Sequence, residues 1–316
     1  MRRARETSVT VKPVRIAPLD RTLLPAAAAL LDAACAFERA GVVAEEKLFG
    51  AAPRVVEMRE VGTLIPQPIG AWQGEVLTGV ACVAGNRVRV LAVAPEARRH
   101  GVGSALLAAC EEAVRAGGHA TIRALDQPGN YLAPGIDERD AGTIGWLDRR
   151  GWQRASEPRM NVLLDVRDNP RVSAARAAEL VARAAAKGYE VRRARADETA
   201  LLDAVAAEFG GAWPFELARA LAFSPPGVHV ALRDGAYCGF AAHDGNNAGL
   251  GWFGPTGTWP AHRGNGLGEA VLMGCLVDVA RDHAQCEVAW IGPRPFYEKV
   301  AGIAGERRFI PMSRAL

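Results

Sequence analysis

The chain has 316 residues, roughly twice the common domain length of about 150, and 49% hydrophobic against 23% charged residues supply material for one or two cores, which excludes global disorder. Thirty-eight basic against thirty-five acidic side chains leave a formal charge of +3, too little to make nucleic acid or an anionic membrane the main partner. The longest nearly uncharged stretch, residues 23–37, contains Pro25 and Asp32 and falls short of the roughly 20 apolar residues of a spanning helix, so no membrane span is expected.

From the N-terminus, Met1 to Arg5 is basic but leads into polar Glu6, Thr7 and Ser8, which is not the pattern of a secretion signal. Apolar spacing predicts a helix over residues 23–39, then a hairpin-like pair of apolar runs over residues 69–83. Residues 88–93 are rich in β-branched side chains and read as a strand that Pro95 breaks. Beyond it Leu106, Leu107, Cys110 and Val114 recur at helical spacing until Gly117-Gly118 ends the helix. An apolar run over residues 120–125 and a shorter helix complete this half. Arg167-Asp168-Asn169-Pro170 reads as a break, and an Ala/Arg-rich helix over residues 172–187, closed by Gly188, either caps the first domain or links it to the next.

The order then repeats. A helix is expected over residues 198–209, a hairpin over residues 228–242 turning at Asp234-Gly235, and an apolar stretch over residues 249–254. Pro260 and a helix carrying Val271, Leu272, Cys275, Leu276 and Val279 on one face follow, then an apolar run over residues 287–291. Two motifs mark the repeat: Arg98-Arg99-His100-Gly101-Val102-Gly103-Ser104 and Arg263-Gly264-Asn265-Gly266-Leu267-Gly268-Glu269. Both read Arg-x-x-Gly-x-Gly, and Arg98 and Arg263 stand 165 residues apart, about one domain length. The expected division is therefore residues 1–170, a linker helix over 171–188, and residues 189–316, each half a mixed α/β unit.

A glycine turn between strand and helix leaves several backbone N–H groups aimed one way at the positive end of the helix dipole, which is a cradle for a diphosphate. Three nucleotide classes use such turns. A P-loop ends in Gly-Lys-Ser/Thr, whereas these end Gly-Ser-Ala and Gly-Glu-Ala. A Rossmann turn requires a third glycine where Leu106 and Val271 stand, and Asp126, at the spacing of a Rossmann ribose ligand, is read as coincidence.

The third class fits. Val93-Ala94-Pro95 followed by Arg98-Arg99-His100-Gly101-Val102-Gly103 resembles the coenzyme A signature of the GNAT (Gcn5-related N-acetyltransferase) superfamily, Val-x-Pro and then Arg/Gln-x-x-Gly-x-Gly/Ala. The second copy is similar, with Thr258-Trp259-Pro260 ahead of its turn and a Phe296-Tyr297-Glu298-Lys299 block like that of the family's final helix. The counterpart in the first half is Trp146-Leu147-Asp148-Arg149, where Leu147 takes the tyrosine's position. The resemblance covers roughly residues 14–166 and 189–316. It implies an α/β fold of the α+β mixed-sheet type: two GNAT-like domains in tandem, each a mostly antiparallel mixed sheet flanked by helices. Residues 128–137, from Pro128 to Asp137, are similar to a segment of other bacterial tandem members.

The resemblance also implies acetyl-CoA as cosubstrate and direct attack by a primary amine in a ternary complex. Backbone groups of Leu91, Ala92 and Val93 would meet the pantetheine arm, and the two turns, from Arg98 to Ser104 and from Arg263 to Glu269, would hold the diphosphate. The attacking amine must first lose a proton, since an alkylammonium titrates near 10.4 and has no lone pair. The family places a tyrosine to protonate the departing thiolate, which assigns Tyr297 as general acid in the second half; a ring packed beneath its helix is the other reading. In the first half either Tyr131 serves, or that half binds coenzyme A without turnover. A non-catalytic acyl-CoA sensor and a dinucleotide-dependent oxidoreductase stay open as alternatives. The acceptor is a small-molecule or peptide amine, and a homodimer stays open.

Among the remaining residues, Cys35, Cys82, Cys110, Cys238, Cys275 and Cys286 are scattered without a Cys-x-x-Cys pair, which favours buried thiols in a reduced, cytoplasmic setting. His100 and His262 read as exposed loop histidines, and His119, His229, His243 and His283 lack metal-ligand spacing, so no metal site is expected. Trp213, Phe215 and Phe223 read as core aromatics, with a pocket wall as the second reading. Arg192, Arg193 and Arg195 read as a solvated strand edge.

Overall fold

The computed structural model describes residues 13–316; the basic segment Met1 to Arg5 lies outside them. Two mixed sheets carry the chain. The first runs in the order Val14–Pro18, Gln67–Gln73, Val76–Ala84, Arg87–Val93, Thr121–Ala124, Met312–Ala315 and Gln153–Arg154. The second runs Glu190–Arg193, Val228–Arg233, Ala236–His243, Trp252–Thr258, Gln285–Val288, Arg159–Asp165, Gly305–Ile310 and Ile136–Asp137. Among the described residues every pairing is antiparallel except one in each sheet, Arg87–Val93 with Thr121–Ala124 and Trp252–Thr258 with Gln285–Val288. A parallel pair needs a crossover, and in both cases the crossover is the glycine turn and its helix, Val102–Ala116 or Leu267–Val279.

The helices bury the apolar stripe that the spacing predicts. Leu106, Cys110 and Val114 are fully buried in the first core, as are Val271, Leu272, Cys275 and Leu276 in the second. Each such aliphatic side chain contributes roughly 2 kcal/mol of apolar burial. All six cysteines are free thiols, and five of them are buried.

The sheets exchange strands. Arg159–Asp165, ahead of the expected boundary at residue 170, lies in the second sheet between Gln285–Val288 and Gly305–Ile310. The last strand, Met312–Ala315, returns to the first sheet and pairs with Thr121–Ala124. The helix Ala174–Ala185, capped by the Ser173 hydroxyl accepting from the Arg176 amide, buries Leu180 and Ala184 in the second core.

Local expectations differ from the structure in a few places. The helix expected to reach residue 39 ends at Ala34, where Cys35 turns extended and the Asp32 carboxylate accepts from the Gly41 amide, drawing the chain back. The hairpin Ala52–Val56 with Arg59–Leu64 was not foreseen, because its outer strand is exposed along nearly its whole length and shows no alternation. The short helices Ala44–Phe49 and Trp213–Leu221 also escaped the periodicity.

Candidate functional site

The two motif turns are near copies. Gly101 (φ 85°) and Gly266 (φ 84°) are the N-caps of their helices in the left-handed region, where a side chain is strained. A Cβ on either would point into open space, so both faces are clear for a ligand. Among the described residues, no protein acceptor binds the backbone amides of residues 99–104 or 264–269; the first helical bonds run from Ala105 to the Gly101 carbonyl and from Ala270 to the Gly266 carbonyl. Arg98 Nε donates to the Val93 carbonyl (3.3 Å) and Arg263 Nε to the Thr258 carbonyl (3.2 Å), each pinning its turn to the end of the preceding strand. Both arginines are thus anchored on backbone, while Arg99 and His100 remain exposed.

Beside each turn the sheet opens. Parallel pairing in the first sheet ends at Val88 with Ala124, so Leu91, Ala92 and Val93 pair only with Val76–Ala84 on their other side. In the second sheet it ends at Phe253 with Val288, next to a register shift against Ala236–His243. Among the described residues the strand before each motif therefore has one edge that no strand covers, closed at its end by the motif arginine on the Val93 or Thr258 carbonyl.

The third elements correspond too. A Cβ on Gly103 would lie 3.5 Å from Val93 and 3.6 Å from Trp146; one on Gly268 would lie 3.4 Å from Thr258 and 3.6 Å from Phe296. Trp146 thus matches Phe296, and Leu147 matches Tyr297. At the next position the copies diverge. Ser104 accepts from Arg150 (2.8 Å), whereas Glu269 sets a carboxylate in the first helical turn, paired with Arg176 (2.8 Å) and 3.9 Å from Lys299. Lys187 donates to the Asn265 carbonyl, tying the Ala174–Ala185 segment to the second turn.

Tyr297 packs edge-on against Phe253 and Phe296, and burial pushes its hydroxyl up to about 12. Tyr131, expected to serve the first half, sets its ring against Trp252 and Trp290 of the second, 5.8 and 5.9 Å away. Burial raises it well above the usual phenol range, and the Glu216 carboxylate adds to this.

Several expectations are corrected. Arg192 and Arg193 are not a solvated edge: Arg192 grips Glu198 with two nitrogens (2.7 and 2.8 Å), and Arg193 reaches the buried Asp278 (2.5 Å) because those carboxylates need counter-charges. His262 accepts or donates at the Tyr189 hydroxyl (3.1 Å) and is only partly exposed. Trp213 joins Phe209, Phe240 and Trp259 in an aromatic cluster, but Phe223 is 44% exposed and outside any core. Asp126 is buried by three arginines, Arg87, Arg123 and Arg159, so its role is to neutralise them.

A second polar centre, not foreseen, lies where the halves meet. Lys47 is wholly buried and donates to Glu46 (2.5 Å), Asn130 (3.0 Å) and Asn246 (2.8 Å); burial lowers it to about 8 against the pull of Glu46. Burial raises Glu216 to about 7. Among the described residues Arg89, also wholly buried, reaches only the Gly50 and Lys47 carbonyls, and its Nε and Nη2 have no partner. The signal in the sequence was an arginine inside the β-branched run Arg87–Val93 and a lysine inside an otherwise apolar helix face.

A mixed sheet that opens beside an amide-lined turn is present twice in one chain, so the fold is a tandem of two like units. Residues 53–133 match the model of the Acetyltransferase (GNAT) family. Residues 53–133 are thus similar to a GNAT domain, and the fold over nearly the whole chain is that of a tandem GNAT protein. A tandem GNAT protein from the clavulanic acid biosynthesis pathway superposes with a TM-score of 0.67 at 20% identity, covering 96% of this chain and 98% of that one. A GCN5-related glucosamine N-acetyltransferase region of a fungal multi-domain GH3 β-N-acetylglucosaminidase gives 0.71 at 15% identity over 96% of this chain, which spans 38% of that protein. A GCN5-related N-acetyltransferase from Sphaerobacter thermophilus gives 0.58 at 17% identity, covering 96% and 95%. No curated protein matches the sequence significantly.

Proposed function

We propose that the chain is an acetyl-CoA-dependent N-acetyltransferase acting on a primary amine, with the domain division near residue 170 and the cosubstrate held at the motif turns. The observation that carries this reading is the repeated set of amides without protein acceptors, next to a strand with one free edge. When bound, acetyl-CoA supplies a thioester carbonyl open to attack by an amine. The amides of residues 99–104, at the positive helix end, bind the diphosphate, and the free edge of Leu91–Val93 aligns the arm. The turn from Arg263 to Glu269 has the same amides, but Glu269 adds a carboxylate where the first copy has Ser104, so binding is expected to be tighter at the first turn.

In the second half Tyr297 holds the proton for the leaving thiolate. At about 12 it stays protonated at neutral pH, yet full transfer to a thiolate near 8.5 runs against roughly three pKa units. That, with Leu147 in the first half, favours a second reading in which the chain binds acyl-CoA as a sensor. Steady-state thiol release with an amine panel separates the two. Under the transferase reading Tyr297→Phe lowers kcat by about 100-fold or more with cosubstrate affinity retained; absence of turnover in the wild type with every amine, despite binding, supports the sensor.

A further inference from the structure

At the junction of the halves a cavity of about 410 Å³ opens, walled by Glu45, Glu46 and Asn130 of the first half and Phe215, Arg219 and Ala248 of the second. Its size falls within the range of small-molecule pockets. The hydrogen-bonding state of its walls defines what can enter. Glu46 is saturated: its carboxylate accepts from Lys47 (2.5 Å), Arg219 (2.8 Å) and the amides of Asn247 (3.1 Å) and Ala248 (3.4 Å). Glu45 is engaged by Arg21 (2.7 Å). Glu46 therefore has no vacancy for a ligand ammonium, and Glu45, 61% exposed, stands at the rim with one oxygen on Arg21.

The surplus lies with the donors. Arg219 spends one guanidinium nitrogen on Glu46, and among the described residues nothing accepts from the other two. Behind the wall at Gly50, Arg89 carries a wholly buried charge that no carboxylate contacts, with Nε and Nη2 unpartnered. Lys47 shares Glu46 with Arg219, so one carboxylate answers two cations. An uncompensated buried guanidinium is costly unless an anion arrives to offset it. Phe215, Val42 and Ala248 add an apolar wall.

We propose that this cavity binds a small carboxylate-bearing molecule, its carboxylate accepting from the guanidinium of Arg219 and its apolar part against Phe215. With Nη2 held by Glu46, Arg219 keeps Nε and Nη1 for a carboxylate oxygen, and phosphate, which has the charge but no apolar part to meet Phe215, fits the cavity less well. Arg89 strengthens the site through its field from behind the wall. The site requires both halves, and none of its lining residues belongs to the two motif turns.

The test is equilibrium binding to the full chain by titration calorimetry at pH 7, with 3-phenylpropionate as probe, its amide 3-phenylpropionamide as the uncharged counterpart, and inorganic phosphate as the alternative anion. The expected result is saturable binding of the carboxylate, at least tenfold weaker binding of the amide and of phosphate, and at least tenfold loss in Arg219→Gln. Because Arg219 also ties Glu46, the variant Ala248→Trp fills the cavity while leaving every charge in place, and it should abolish binding equally. Absence of carboxylate binding to the wild type, equal binding of the amide, stronger binding of phosphate, or full retention in Ala248→Trp would each overturn the assignment.

Discussion

Replacing Arg89 by methionine is expected to stabilise the protein. The guanidinium is wholly buried and has two nitrogens without partners, so the folded state carries desolvated charge that the unfolded chain does not. What the substitution removes is modest: the Gly50 carbonyl loses its 2.5 Å donor but keeps the Asn130 amide at 3.3 Å, and the Lys47 carbonyl is already at the 3.5 Å limit. Methionine matches the length of the stem and fills irregular space. Replacing buried charge by apolar volume is neutral or stabilising by about 1–4 kcal/mol, which for a half of about 150 residues raises the melting temperature by several degrees. Urea unfolding at pH 7 reads the effect directly. A loss of more than about 1 kcal/mol would show that the charge is satisfied in the fold, and the reasoning from unpartnered nitrogens would be refuted.

Three further outcomes follow from the same geometry. Glu216, raised to about 7 by burial, binds its proton more tightly when folded, so its ionisation costs stability as pH rises from about 4.5 through 7. Glu216→Gln should therefore match the wild type near pH 4 and exceed it by about 3 kcal/mol at pH 8 in denaturant melts; equal stability at both pH values contradicts the assignment. His243 is opposed by burial, but the carboxylates of Asp244 (2.8 Å) and Asp278 (3.7 Å) outweigh it and raise the ring to about 9. His229, Arg193 and Arg281 share Asp278. The stability from charged His243 is full below about pH 6.5 and gone once pH passes about 9, so the gap between wild type and His243→Gln should close over that window. Tyr297→Phe should leave the melting temperature within a few degrees while lowering turnover, since the Tyr297 hydroxyl has no hydrogen bond among the described residues to lose.

Much of the fold could be read from residues because its signals are local. The β-branched strand before Pro95, the glycine that enters the left-handed region at Gly101 and again at Gly266, and the stripe from Leu106 to Val114 each follow from backbone sterics or burial. The Asp234-Gly235 turn, with both residues at positive φ, is of the same kind. What escaped was non-local. Nothing near Arg159 or Met312 announces that their strands cross into the opposite sheets, since a strand's partner is chosen by topology. Lys47, Arg89 and Glu216 are far apart in sequence, and only the packing of the two halves makes them one polar centre. The same holds for Arg192 and Arg193, whose acidic partners Glu198 and Asp278 turn an apparently solvated cluster into an internal tie.

Binding of acetyl-CoA by the wild type, Gly103→Glu, Gly268→Glu and the double variant tests the central claim most directly. Each substitution sets a carboxylate beside the amides that should hold a diphosphate, at positions where a Cβ meets only ordinary contacts. Calorimetry should give saturable binding to the wild type, most of it lost in Gly103→Glu and all of it in the double variant. The matching thermal stabilisation, about 2.7 kcal/mol at a hundred times the dissociation constant, should vanish in parallel. Undiminished binding in a folded double variant would contradict the account.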